Sequence, residues 1–209
     1  MRLLSIALVA LLALAGCGPE PKWADDASVS RASYKAPGNP SITLYTMVSN
    51  DTGAGGHTGL MISGSERVLY DPAGSWRHPN APERNDTHHG FTPWMESFYL
   101  DYHARSTYHV VIQTIDVPLE VANAAIASAR QTGAAPKAYC ARNTSTTLSR
   151  VPGFGNLGVT WYPIKLMEKF ATLPGVRTRK VYDDDPAYNR VMLEAGIVPV
   201  GADPWTAAN

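Results

Sequence analysis

Three short segments in the first third of the chain constrain its folding most. Ser41 to Ser49 (Ser-Ile-Thr-Leu-Tyr-Thr-Met-Val-Ser) alternates apolar and polar residues, the period of a β-strand. His57 to Ser63 and Arg67 to Asp71 read as two more strands, and Gly64-Ser65 between them is a hairpin signal. A hairpin brings residues near 57 and 71 close together. Register decides whether they share a face, because a one-residue slip turns every side chain over. A two-residue turn at Gly64-Ser65 puts Asp71 opposite Thr58, on the wrong face for His57. A three-residue loop of Ser63-Gly64-Ser65 puts Asp71 directly opposite His57. Both registers are open at this point.

The rest of the chain reads as a mixture of elements. Pro72 to Pro93 is a loop carrying His78, His88 and His89. Trp94 to Arg105 is a helix whose Trp94, Phe98 and Tyr102 form a core-facing stripe. Tyr108 to Val117 is a strand, and Pro118 opens an Ala-rich helix, Leu119 to Thr132, stopped by Gly133. A helix begins at Cys140 and ends near Pro152-Gly153, and residues 153–162 form a glycine-rich loop. A helix over Ile164 to Thr172, a strand over Val176 to Tyr182 and a helix over Tyr188 to Ala195 complete the pattern. There is no internal repeat.

A chain of 209 residues with 44% hydrophobic content fits one domain with a real core. Eighteen basic and eighteen acidic residues cancel, so no broad basic surface predicts nucleic-acid binding. The first 17 residues read as a targeting segment: Arg2, then an apolar run from Leu3 to Ala15 too short to span a membrane. The run ends Leu14-Ala15-Gly16-Cys17, which resembles the lipobox of bacterial lipoproteins. That resemblance implies cleavage before Cys17, lipidation of its thiol (palmitate among the acyl groups), and a membrane anchor. By resemblance to sorting in enteric-type bacteria, Gly18 after the cysteine implies the outer membrane, facing the periplasm. Residues 18–40, rich in Pro, Ala, Ser and charge, read as a tether, leaving 41–209 as the domain.

With Cys17 consumed by lipid, Cys140 is the one cysteine left in an oxidising compartment. It is either an inert core residue or a nucleophile. The sequence Ala138-Tyr139-Cys140-Ala141-Arg142-Asn143 sets it at a helix start. Free N–H groups and the helix dipole there favour a thiolate and can hold an oxyanion. Thr and Ser at 144–147 face partly inward or cap locally. Gly56-His57-Thr58-Gly59-Leu60-Met61-Ile62 supplies an imidazole at the head of an apolar strand, after a Gly-rich loop that leaves room for a substrate. Asp71 is the candidate third group that orients that imidazole. His88 and His89 are substitutes if their loop folds back. Gly153-Phe154-Gly155-Asn156-Leu157-Gly158 matches a dinucleotide fingerprint in letters, but it follows a helix rather than a strand. No metal-ligand spacing and no G-x-S-x-G are present, so no metal and no cofactor are expected.

A histidine on a strand, a short hairpin, and much later Tyr-Cys-Ala-Arg-Asn opening a helix resembles the circularly permuted papain-like enzymes. These include the permuted NlpC-type hydrolases and relatives of lecithin–retinol acyltransferase. Histidine before cysteine is the permuted order. The resemblance covers about residues 55–180 and implies an α+β fold, with the cysteine helix packed on an antiparallel sheet that carries the histidine. It implies a thioester acyl-enzyme, with Cys140 as nucleophile, His57 as base and Asp71 in the place of the third polar residue. Tyr70-Asp71-Pro72 stands where the acyltransferase branch often has a second histidine, which disfavours that branch. The expectation is an envelope cysteine hydrolase (a thiol peptidase or amidase, or an acyl hydrolase) acting on cell-wall (peptidoglycan) peptide or, second, on lipid acyl groups. The alternative is a non-catalytic lipoprotein that binds or scaffolds, with Cys140 in its core.

Overall fold

A computed structural model describes residues 21–195 of the chain. Cys17 and the segment resembling a lipobox lie outside them. Seven strands form one antiparallel sheet in the order β4-β5-β3-β2-β1-β6-β7. They are β1 (Ser41–Ser49), β2 (Gly55–Ser63), β3 (Arg67–Tyr70), β4 (Glu83–Arg84), β5 (Thr87–His89), β6 (Tyr108–Asp116) and β7 (Arg177–Val181). Among the described residues six α-helices accompany them: α1 (Asp26–Ala32), α2 (Pro93–His103), α3 (Leu119–Thr132), α4 (Cys140–Ser149), α5 (Pro163–Ala171) and α6 (Arg190–Ala195). The fold is α+β.

Both faces of the sheet are covered. Ile42 and Leu44 of β1 with Leu60 and Ile62 of β2 meet Ala122, Ile126 and Ala129 of α3, Leu148 of α4 and Leu166 and Phe170 of α5. The other face sets Tyr45, Met47, Met61 and Leu69 against Trp76 and Met95, Phe98, Tyr99 and Tyr102 of α2. The alternation along β1 therefore does not separate core from solvent, since Thr43 and Thr46 are buried as well. Small alanines on α3 let that helix lie close to the sheet, and Phe170 fills the space beside Phe154, ring centroids 6.0 Å apart. Phe170→Ala is expected to destabilise the fold by about 3–5 kcal/mol through lost burial and a cavity, read as a lower urea midpoint.

Several elements depart from the sequence expectation. The 72–93 segment is not all loop: it contributes β4 and β5, and β5 carries His88 and His89 into the sheet beside β3. Three-residue strands are below what periodicity detects. Part of the segment read as a tether is docked on the domain. Trp23 bridges to Arg84, whose guanidinium lies 4.7 Å from the Trp23 ring, and the Arg67 N–H donates to the Tyr34 carbonyl at 2.7 Å. Asp25 caps α1 by accepting from the Ser28 N–H at 2.8 Å. In the α2 stripe, Phe98 and Tyr102 are buried as expected, but Trp94 is 47% exposed and lies over Phe98 at the helix start.

Candidate active site

The hairpin joining β2 and β3 positions the first two groups. Its loop is Gly64-Ser65-Glu66, closing on the pair Ser63↔Arg67. Neither register read from the sequence is used. Leu60 pairs with Tyr70, so Asp71 falls just beyond the ladder, across from Gly59. Gly59 lies two residues from His57 on the same face, and the carboxylate reaches the imidazole diagonally: His57 Nε2 and Asp71 Oδ1 are 2.7 Å apart. Tertiary contacts choose this loop. Asn123 of α3 accepts from the Ser65 N–H at 2.9 Å, and the Glu66 carboxylate is held by Arg130 and by His89 Nδ1 at 3.1 Å.

Glycine at 59 makes the diagonal possible. A Cβ there would sit 2.6 Å from the Tyr99 hydroxyl and 3.0 Å from Asp71 Oδ1. The Tyr99 hydroxyl itself donates to Asp71 Oδ1 at 2.7 Å. One oxygen thus holds both an imidazole and a phenol, at a carboxylate that is 2% exposed.

The third group arrives from the other side of the sheet. α4 packs across β2, and Cys140 is its first residue. At the end of the sheet, where β3 has stopped at Tyr70, the Cys140 thiol meets the His57 ring in a hydrogen bond. Since Nε2 is taken by Asp71, Nδ1 is the nitrogen left for sulfur. Backbone N–H groups of Ala141 and Thr58 also point at the sulfur. The turn into the helix is tight: Ala138 has φ 69°, a left-handed conformation that is costly for a residue with a Cβ.

Electrostatics follow from this packing. Burial opposes charge on both His57 and Cys140, yet their partners outweigh it. The Asp71 charge and hydrogen bond, with the Cys140 thiolate, raise the His57 pKa from 6.5 to about 10. Burial pushes the Cys140 thiol up, but the hydrogen bond and charge of His57 bring it below its ordinary value. Asp71 is held well below the usual carboxylate range against its own desolvation by the charge and hydrogen bond of His57. Both shifts favour a thiolate beside an imidazolium.

His103 and Tyr99 belong to this site and were not singled out from sequence. The His103 ring stacks on His57, centroids 5.8 Å apart and 12° between planes. Its Nδ1–H donates to the Tyr99 carbonyl at 2.8 Å, which fixes the tautomer. Burial lowers its pKa to about 4, so it stays neutral beside the charged His57. Their signal was one turn of helix, Tyr99 and His103 at i,i+4, but only the packing of α2 on the sheet shows what that pair faces. The His57 and His103 rings line a cavity of about 310 Å³ with Met47, Tyr102 and Tyr108.

His88 and His89 do not orient His57. His88 is buried with its ring edge-on to Trp76, and burial lowers its pKa; His89 is tied to Glu66. The glycines before His57 serve packing rather than leaving room. A Cβ on Gly55 would come within 2.7 Å of Pro163, and one on Gly56 within 2.6 Å of the Tyr108 ring. Of the 144–147 hydroxyls, Ser145 is structural: it donates to the Ala141 carbonyl at 2.6 Å and accepts from the Thr160 N–H at 3.0 Å. The 153–158 glycines form a loop around one 3₁₀ turn, Gly155–Leu157.

Among the described residues no helix is long and apolar enough to cross a membrane. No family model, curated protein or solved structure matches the chain.

Proposed function

We propose that this protein is a cysteine hydrolase with a permuted papain-like arrangement, anchored in the cell envelope through Cys17. It cleaves an amide of cell-wall peptide or, second, an acyl ester or thioester. The observation that carries the reading is the unbroken relay Tyr99–Asp71–His57–Cys140, with the sulfur at a helix N-terminus. A core cysteine has no need of an imidazole that is itself oriented by a buried carboxylate.

The steps follow from the groups present. The Cys140 thiolate attacks the carbonyl carbon, and the electron pair of the C=O bond moves to oxygen. The Cys140 and Arg142 N–H groups, in the first turn of α4, have no intrahelical acceptors and would bind that oxyanion. The tetrahedral centre collapses, the bond to the leaving group breaks, and the proton on His57 passes to the departing nitrogen or oxygen. Water then gives a proton to His57 and attacks the thioester, and Cys140 leaves as thiolate. Asp71 keeps the imidazole in one orientation throughout.

The experiment is trapping. Incubation of the protein with p-nitrophenyl acetate, a generic acyl donor, followed by acid quench and peptide mapping, is expected to find an acetyl group on Cys140. Cys140→Ser is expected to lack it. A wild-type protein that never acylates while folded and abundant would return the chain to the class of binding or scaffolding lipoproteins.

A further inference from the structure

The segment that joins Cys17 to the domain is bound to the sheet from residue 22 onward. Lys22, Trp23 and Ala24 run alongside β4. The Ala24 N–H donates to the Glu83 carbonyl at 3.0 Å, and the Asn85 N–H donates to the Lys22 carbonyl at 2.9 Å. Arg84 Nε donates to the Ala24 carbonyl at 2.8 Å. Lys22 pairs with Glu83 at 3.0 Å, and Asp26 with Arg84 at 2.5 Å. Further on, Gly90 makes room for the Ala32 carbonyl, which a Cβ there would meet at 2.2 Å. Residues 22–34 are thus held at both ends, and they cover the edge of the sheet that β4 would otherwise leave open.

Chain length then limits where the domain can sit. Cys17 lies five residues before Lys22. Five residues span about 18 Å at full extension, whereas a free tether over 18–40 would span about 80 Å. An anchor at Cys17 therefore holds the β4 edge close to its own membrane surface. Trp23 stands at that edge. It is 70% exposed, the most exposed large apolar side chain among the described residues, although its backbone is fixed. Exposed rings occur elsewhere on the protein, but Trp23 is six residues from Cys17, about 21 Å at most. An indole is amphipathic and favours the headgroup level of a bilayer. Its ring lies 4.7 Å from the Arg84 guanidinium. The charges beside it are matched, Lys22 by Glu83 and Arg84 by Asp26, so the patch suits a zwitterionic lipid surface.

We infer that Lys22, Trp23 and Arg84 form a membrane-contact surface, which sets the β4 edge of the sheet against the bilayer that Cys17 is anchored in. It rests on the proposed anchor at Cys17 and not on the hydrolytic chemistry. The strand that carries His57, β2, is three strands in from β4, about 14 Å at the usual strand spacing. The site is therefore held in a fixed layer beside the membrane and does not swing on a long leash.

The test supplies the anchor chemically. The chain from Cys17 onward, with Cys140→Ser so that Cys17 is the single thiol, is coupled to maleimide-bearing lipid in phosphatidylcholine vesicles. Part of the phosphatidylcholine carries brominated acyl chains, which quench tryptophan on contact. Trp23→Phe and Trp161→Phe are prepared in the same parent. Trp161 lies in the loop leading into α5, which packs on β1 and β2. Quenching is expected in the parent, retained in Trp161→Phe and largely lost in Trp23→Phe, with the same circular dichroism in all three. No quenching in the parent, or equal quenching in the parent and Trp23→Phe, would overturn the surface. The anchor has its own readout: mass spectrometry of the N-terminal peptide from the full chain expressed in a bacterium is expected to find acyl groups on Cys17. An unacylated Cys17 would overturn the anchor, and the membrane-contact surface with it, whatever the vesicles show.

Discussion

Replacing His57 with alanine is expected to slow alkylation of Cys140 at pH 6 by on the order of 30-fold. An ordinary thiol with a pKa near 8.5 is about one part in 300 thiolate at that pH. In the intact site the hydrogen bond and charge of His57 lower the Cys140 pKa, and the expected ratio is that of a sulfur fully ionised at pH 6. Part of that ratio is returned, because a thiolate of depressed pKa is a weaker nucleophile, with a Brønsted slope of about 0.4–0.5. Ionisation is the larger effect at pH 6, so the wild type is faster there. The variant's rate should rise with pH, meet the wild-type rate at about pH 7.5 and pass it as its more basic thiolate forms. His57→Gln, which fills more of the space under the His103 ring, separates loss of the proton acceptor from loss of packing. Iodoacetamide labelling followed by mass spectrometry measures all three proteins. A wild-type thiol that labels only above pH 8.5, or only on unfolding, would leave Cys140 an ordinary core cysteine.

The second large effect is expected from Asp71→Asn, and its sign can be worked out. His57 has its pKa raised to about 10 by Asp71 and the thiolate, while burial acts against the charge. The imidazolium must be present to protonate the leaving group, so turnover of an amide should persist to about pH 10 and fall above it. Removing the Asp71 charge leaves burial less opposed, and the His57 pKa should drop toward 6.5 or below. At pH 8 a group with a pKa of 6.5 is about 3% protonated, a loss of roughly 30-fold in the competent form. The alkaline limb should therefore move down by several pH units in the variant. Stability has the same sign. A raised folded pKa on His57 contributes stability that is full below 6.5 and is lost as pH rises through about 10. In wild type the thermal midpoint should fall over that window, and in Asp71→Asn the fall should be largely absent. Coincident alkaline limbs in the two proteins would show that Asp71 does not set the proton on His57.

The residues proposed to carry the chemistry were legible from their local settings. Cys140 stands out because the other cysteine closes the apolar run from Leu3 to Ala15, which resembles a lipobox, and because Tyr139-Cys140-Ala141 precedes a helical run. His57 stands out at the head of an apolar strand. The strand periods of β1, β2 and β6 and the alanine-rich α3 follow from near-neighbour rules, which is why their bounds fall within a few residues of the expected ones. What each face covers did not follow, because a sheet buried on both sides uses the same residue types on each.

Asp71 shows where local reasoning stops. Its candidacy came from sequence, but its face depended on a one-residue choice of loop, and the choice was made by Asn123, Arg130 and His89, which lie far along the chain. Tyr99 and His103 were unreadable for the same reason: a tyrosine and a histidine one turn apart are ordinary until a sheet places Asp71 and His57 beneath them. Short strands such as β4 and β5 exist because β3 offers an edge, not because three residues prefer to extend. The sequence alone determined which residue types could react and which segments form regular structure, since both depend on covalent neighbours. Tertiary structure alone decided register, the company His57 keeps and the resulting downward shift of the Cys140 pKa, since these depend on distances between residues up to about eighty positions apart.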